Sequence, residues 1–417
     1  MISYFLFRLF GVLISLLPYT VIHAIGRILG TLLYYVHTPF RKKALSNLAI
    51  AYGSSLSEKE RTKIAKRSFR HLMITCLEFF RLKRSKNHFD RLIIPSNPRV
   101  VLDLTEKKQG IVFFTGHQAN WEIPFLAITQ RCGPGIAIGR PIKNRPLYRW
   151  VLSVREMFGG KIVMPKNALK EGLKALRKGE FIGIVGDQAL PQSDYSYPLF
   201  GTRAWTTTAP ALLAYKTNSP IIVGTTKREK GKYIVHASDP IWPNLERPMK
   251  EEVKRMMDKT LSLFEKSIRD CPEQWMWVHD RWKQQTIDHV KRQYRYGFVL
   301  ITLPPDVTPY LEILFLLRKI YPRSFLSIYA PAGSAIRLKD AAIHYYKKES
   351  DLFQRDWRQQ LLIDFYDSAL LRRHFHKLGC SQTLSLQKMR KISQQEELYQ
   401  IIKQTLVKSE CLLTVSF

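Results

Sequence analysis

A histidine at the end of a short apolar run, with a carboxylate five residues on, is the pattern in this chain best suited to moving a proton. The stretch Gly110–Pro124 reads GIVFFTGHQANWEIP. Its Ile, Val and Phe content predicts a strand that leaves His117 at its C-terminal mouth. Gly116 frees the backbone there, and a helix begins at Asn120 or just after it. Open α/β sheets collect their chemistry at that edge, which suits an imidazole base with Glu122 as its carboxylate partner. Spacing alone does not single this pair out. With eleven His and thirty-four Asp plus Glu residues, chance supplies about one His-x4-acid match in such a chain. Two occur, His117/Glu122 and His344/Glu349. The second lies in KDAAIHYYKKE, which reads as continuous helix, and residues five apart on a helix do not share a face. The first pair is the site and the second a coincidence.

The elements around His117 alternate strand and helix. Ile111–Thr115 is followed by a helix towards Gln130, a short strand at Ile136–Ile138, a basic loop Arg140–Arg145 and a helix near Leu147–Phe158. Asn167 precedes a helix ending near Lys178-Gly179, after which strand Phe181–Val185 delivers Asp187 and Gln188 at its own C-terminal end. Further on come helix Thr206–Lys216, strands Ile221–Gly224 and Tyr233–Ala237, and the amphipathic helix Glu251–Arg269. Upstream, Ser57 and Glu60 form a capping-box pattern opening a helix over Ser57–Leu82. The fold class is α/β, a mostly parallel sheet covered by helices. A small extra α/β unit begins near Tyr296 with strand FVLITL, helix YLEILFLLRKIY and strand SFLSIYA. Helices are predicted through Trp357–Leu378 and Leu384–Val407, with a last strand at Leu412–Phe417. The resulting division is 1–40, 41–290 and 291–417.

Lys plus Arg outnumber Asp plus Glu by 66 to 34, a formal charge of +32. Such a balance implies acidic partners. No helix-turn-helix, zinc-finger or RNP pattern accompanies it, and the basic residues are spread along the chain, so no nucleic acid is expected. The N-terminus points to a membrane. Met1–Leu17 is apolar except for Arg8 and two serines, and Thr20–Val36 carries only His23 and Arg27. Neither half is a clean span of about 20 residues. Together they read as a membrane-anchoring helical segment, tilted across the bilayer or lying in its interface. Arg41-Lys42-Lys43 places the remainder of the chain on the cytoplasmic side. Five scattered cysteines without a C-x-x-C suit reduced thiols.

Five ordered blocks carry a resemblance: GHQANWE at 116–122, RPIKNRPLY at 140–148, GDQ at 186–188, PLFGTRAWTTTAPALLA at 198–214 and PEQWMWVHDRWK at 272–283. They resemble the lipid A biosynthesis lauroyl/myristoyl acyltransferases, relatives of the glycerolipid and lysophospholipid acyltransferases, over roughly the first two-thirds of the chain. The segment 291–417 departs from the pattern, and no function is carried over to it. The resemblance implies transfer of a fatty acyl group from a thioester on acyl carrier protein to a hydroxyl of an anionic lipid A precursor, among inner-membrane lipids at the cytoplasmic face. It implies no cofactor and no metal.

An alcohol is a weak nucleophile near neutral pH, so it needs a base as it attacks. His117 takes that part, with Glu122 fixing its tautomer and stabilising the imidazolium. The oxyanion needs a donor, for which Arg140 is the candidate; a plain phosphate contact is its other reading. Asp187 orients the neighbours of His117 or of Arg140, or else caps a helix. Asn120, Gln188 and Arg203 are substrate-binding candidates, Arg203 towards a phosphate. Lys170 and Lys174, in a stripe at four-residue spacing with Lys166 and Lys178, either dock an acidic carrier or anionic headgroups or form a solvated face. Trp275, Trp277 and Trp282 belong to a membrane-interface belt or to the core. Rival readings remain: an acyltransferase acting on a lysophospholipid or another glycolipid, a non-enzymatic basic protein binding membranes or nucleic acid, and an activity of the C-terminal unit's own, such as sugar transfer, suggested only by its βαβ start.

Overall fold

The computed structural model describes residues 2–408. Strands β1 (Ile93–Ser96), β2 (Ile111–Thr115), β3 (Gly135–Ile138), β4 (Lys161–Val163) and β5 (Phe181–Val185) join β8 (Ile221–Glu229) and β9 (Lys232–Ala237) in one sheet. Its order is β1-β9-β8-β2-β5-β3-β4. All pairs are parallel except β8 with β9, which the two-residue turn Lys230-Gly231 (φ 47° and 78°) joins as a hairpin. A separate hairpin, β6 (Ser196–Leu199) with β7 (Thr202–Trp205), stands off the sheet. Strand β2 is buried along its whole length between β5 and β8, as its unbroken apolar run requires.

Four helices precede the sheet: α1 (Ile2–Leu16), α2 (Tyr19–Val36), α3 (Thr38–Tyr52) and α4 (Glu58–Leu82). The capping box of α4 is formed, with Glu60 N–H donating to Ser57 Oγ at 3.2 Å and Ser57 N–H to Glu60 Oε2 at 2.8 Å. Helix α2 lies against α4 through Ile22, Gly26, Gly30 and Tyr34. A Cβ on Gly30 would meet the α4 backbone at Phe69 and Arg70, so only glycine permits this approach. No described helix is long and apolar enough to cross a membrane. His23 and Arg27 interrupt α2, and α1 is only 15 residues long. Of the two placements expected for the N-terminal segment, the spanning one has no helix suited to it; α1 and α2 pack on α4, and their outer side exposes Leu13, Ile28 and Leu32.

The C-terminal unit is a five-stranded parallel sheet, in the order β12-β11-β10-β13-β14. Its strands are β10 (Phe298–Thr302), β11 (Phe325–Pro331), β12 (Ala341–Tyr346), β13 (Leu361–Asp364) and β14 (Gln382–Ser385). Several expectations fail here. His344 lies on the edge strand β12, not on a helix. The helix expected over 357–378 is strand β13 followed by helix Ala369–Lys377, and the one over 384–407 is β14 and two short helices separated at Gln394 (φ 56°). Fully buried parallel strands are continuous apolar runs, which periodicity does not distinguish from buried helix. The strand expected at 412–417 lies outside the described residues.

Candidate active site

Two parallel strands in register build the centre of the site. Thr115 of β2 pairs with Val185 of β5, and the chains continue as Gly116-His117 and Gly186-Asp187. The Gly186 N–H donates to Thr115 O at 2.9 Å, keeping the two ends together. Side chains at either glycine would collide with this arrangement. A Cβ on Gly116 would lie 2.8 Å from Asp187 Oδ2 and run into Phe264, and one on Gly186 would meet Phe114. Gly116 thus serves close approach. His117 and Asp187 consequently meet: Nδ1 lies 2.7 Å from Asp187 Oδ1.

A carboxylate only accepts, so Nδ1 carries the proton and Nε2 is left as the lone-pair nitrogen of the neutral ring. Asp187 Oδ2 accepts two more donors, the His117 N–H and Trp275 Nε1–H, each at 2.8 Å. The carboxylate is completely buried, and three donors fix its plane. Burial opposes its charge, but His117 outweighs that and holds it far below the usual carboxylate range. Burial likewise disfavours the imidazolium, yet Asp187 more than compensates and raises His117 above its ordinary value. The Trp121 ring covers the imidazole edge-on at 5.2 Å between centroids.

The turn after His117 is locked from two sides. Ala119 adopts a left-handed φ of 46°, unfavourable for a residue with a Cβ. Its N–H donates to Gln274 O at 2.7 Å, its carbonyl accepts from Thr75 Oγ1 of α4 at 2.6 Å, and the His117 carbonyl accepts from Met276 N–H at 3.0 Å. The block at 272–283 is therefore a clamp on the block at 116–122. His279, half-buried, bonds the Met276 carbonyl through Nδ1 and faces the Asp187 carbonyl at 3.3 Å through Nε2.

Glu122 does not take the part expected of it. Its carboxylate holds Arg155 in a two-pronged pair, Nε to Oε2 at 2.8 Å and Nη2 to Oε1 at 2.6 Å. The pair remains close enough to act on His117 electrostatically, Glu122 raising and Arg155 lowering its affinity for a proton. Asp187 thus holds the imidazole, and Glu122 holds an arginine beside it. The helix Arg145–Arg155 supplies that arginine from its last turn. Arg155, Trp275 and His279 are the site residues the sequence reading missed. Arg155 ends the helix that begins inside the 140–148 block, and the other two lie inside the 272–283 block.

Other expected residues divide. Arg140 stands exposed two residues beyond β3, with no hydrogen-bond partner among the described residues. A Cβ on its neighbour Gly139 would collide with Ile162 Cγ2 at 2.6 Å. Gln188 is exposed beyond Asp187. Asn120 does not face a substrate: it is buried, donates to Glu78 Oε2 at 3.0 Å and braces the turn. Arg203 lies on β7 over the rings of Trp205 (5.5 Å) and Phe325 (5.9 Å), at the seam with the C-terminal unit. Lys170 and Lys174 are exposed on helix Ala168–Arg177 opposite buried Gly172, Ala175 and Leu176. Trp275, Trp277 and Trp282 are core.

Two relatives from Escherichia coli (strain K12) share this framework in sequence. The chain is similar to a lipid A biosynthesis lauroyltransferase, 29% identical over 280 residues, which covers 65% of this chain and 88% of the relative. It is also similar to a lipid A biosynthesis palmitoleoyltransferase, 25% identical over 283 residues with the same coverage. The family model described as bacterial lipid A biosynthesis acyltransferase matches residues 1–284, which hold the sheet, the His117–Asp187 pair and the clamp, and the chain belongs to that family.

Proposed function

We propose that this acyltransferase esterifies a hydroxyl of a lipid A precursor with a fatty acyl group drawn from an acyl carrier protein thioester, with His117 as general base. The observation that carries this is the buried Asp187 carboxylate on His117 Nδ1, which leaves Nε2 free to accept a proton. As the acceptor hydroxyl attacks the thioester carbonyl, its proton passes to Nε2 and a C–O bond forms. Arg140 donates to the resulting oxyanion; it is free to do so, whereas Arg155 is already engaged by Glu122. Collapse breaks the C–S bond, and the imidazolium returns its proton to the departing thiolate. Asp187 stabilises that imidazolium throughout. Glu122 acts one residue further out, fixing Arg155 against the reacting centre.

The exposed cationic helix Ala168–Arg177 supports an acidic carrier as donor. The apolar outer side of α1 and α2 supports attachment lying in the interface, at the cytoplasmic face of a bacterial inner membrane. Mass spectrometry of a lipid A precursor incubated with acyl carrier protein thioester tests the reading. The product gains one acyl chain with the wild-type protein, and the rate falls at least about 1,000-fold in His117→Ala. His344→Ala, on edge strand β12 of the other unit, leaves the rate unchanged. Retention of most activity by His117→Ala refutes the assignment.

A further inference from the structure

A cavity of about 430 Å³ opens between α2, α4 and the β8–β9 turn. Its floor and its rim differ. On the floor, Arg228 is buried and spent: Nη2 donates to Glu78 Oε2 at 2.8 Å, and Nη1 donates to His71 Nδ1 at 2.8 Å. Burial and the adjoining Arg228 push His71 down to about 3, so it is neutral. His23 shares the same Glu78 carboxylate at 2.6 Å. On the rim, Arg27, Arg67 and Lys230 converge without a hydrogen bond or ion pair among the described residues. Arg70 beside them is tied only by Nε to Thr31 Oγ1 at 2.9 Å. Glu273 is the one carboxylate lining the cavity, so four side-chain cations face a single opposing charge.

Unpaired like charges gathered around a concavity repel one another until an anion enters. The position indicates which anion. Arg27 is adjacent on α2 to Ile28, and Val21, Ile28 and Leu32 are all exposed, so the basic rim borders the apolar outer surface of the N-terminal helices. A ligand that meets both is amphiphilic, its charge in the cavity and its chains on the apolar side. Four convergent donors in a concave seat suit a terminal phosphate with three free oxygens better than a phosphodiester masked on both sides. The floor also reaches the catalytic turn, because the Glu78 carboxylate that holds Arg228 accepts from Asn120, and Glu273 precedes the Gln274 that clamps Ala119.

We infer that this cavity seats a phosphate monoester of the glycolipid acceptor and selects phosphorylated over dephosphorylated acceptors. The inference rests on the acyltransferase reading above for the identity of that amphiphile. The test uses the full chain with Arg67→Glu/Lys230→Glu, both surface positions outside the catalytic set. Retention is measured on phosphatidylcholine vesicles carrying a few mole per cent of phosphorylated lipid A precursor, its dephosphorylated form, or phosphatidylglycerol. Wild type prefers the phosphorylated precursor, and the variant loses about tenfold of that preference. In the transfer assay its KM for the phosphorylated acceptor rises about tenfold with kcat unchanged. Arg67→Lys/Lys230→Arg restores both, which separates loss of charge from loss of fold. Equal wild-type retention on the two precursor forms overturns the inference, as does a variant that keeps the preference. An equal loss on phosphatidylglycerol assigns the cavity to bulk anionic lipid and overturns it too. Vesicle retention needs no turnover, so a wild-type preference without acyl transfer sinks the acyltransferase reading alone.

Discussion

Asp187→Asn is the perturbation that most directly separates charge from shape at the site. Two fixed donors, His117 N–H and Trp275 Nε1–H, point at the Oδ2 position, and one group, His117 Nδ1, points at Oδ1. An asparagine satisfies both fixed donors only by placing its oxygen at the Oδ2 position. Its NH2 then faces Nδ1, which must become an acceptor, and the ring proton moves to Nε2. The tautomer is then wrong for a base. The charge is lost as well: a carboxylate and an imidazolium about 4 Å apart at an effective dielectric near 20 attract by about 4 kcal/mol, or roughly three orders of magnitude in rate. The assay is the rate of acyl transfer across pH. In the wild type, a base must be neutral to act, so the rate rises with pH through a midpoint above the ordinary histidine value of about 6.5. In the variant, burial acts on the ring without its main opposing charge, only Glu122 still favouring the proton, and the residual rising limb moves down in pH. Fluorescence of Trp275, which loses no partner in the flipped amide, checks that the site is folded. A variant within about tenfold of wild type, or with its limb unmoved, refutes the assignment of Asp187.

Glu122→Gln and Arg155→Ala each release the same paired group beside His117, so each lowers kcat by on the order of 100-fold and the double variant is no worse; additive losses measured in a double-mutant cycle contradict the pairing. Glu78→Gln strands the buried Arg228 and costs about 3–5 kcal/mol in urea unfolding at neutral pH. Burial opposes the Glu78 charge, but Arg228 and His23 hold the carboxyl at about 2. Its contribution is therefore present above the unfolded-chain value near 4.3 and is lost as pH falls towards about 2, so the gap between wild type and variant narrows in acid.

The strand ending at Thr115 and the strand ending at Val185 are both legible in the sequence, because each is a short β-branched run closed by glycine. Their pairing is not. Parallel register is set by packing over the whole sheet, so nothing local says that position 187 faces position 117 across seventy residues. The proximity of Glu122 along the chain is misleading for a related reason. The left-handed Ala119 and the start of a helix at Ile123 turn that side chain towards the helix Arg145–Arg155, away from Nδ1. Asn120 looks like a substrate ligand as a polar residue in a motif block, yet burial gives it a bracing role that only three-dimensional neighbours reveal. The five motif blocks identify the family although they are far apart, because the fold brings 116–122, 186–188 and 272–283 into one hydrogen-bonded cluster.

The C-terminal unit changes how one of those blocks is read. Its first two strands bring Phe298 and Phe325, stacked at 4.6 Å, against the core that includes Trp277 and Trp282. Arg323 lies 4.0 Å over the Trp205 ring and donates to the carbonyls of Pro191 and Ser193, both at 3.1 Å. From the other side, Lys42 of α3, itself buried, donates to the Cys380 carbonyl at 3.0 Å. These contacts are cationic groups satisfied by buried carbonyls and rings, which a loosely tethered domain would leave to water. The β6–β7 hairpin is thus held from outside the family-matched region. Arg203 lies on that hairpin over the Phe325 ring, so the arginine that the motif suggests for substrate also borders the second sheet in this chain.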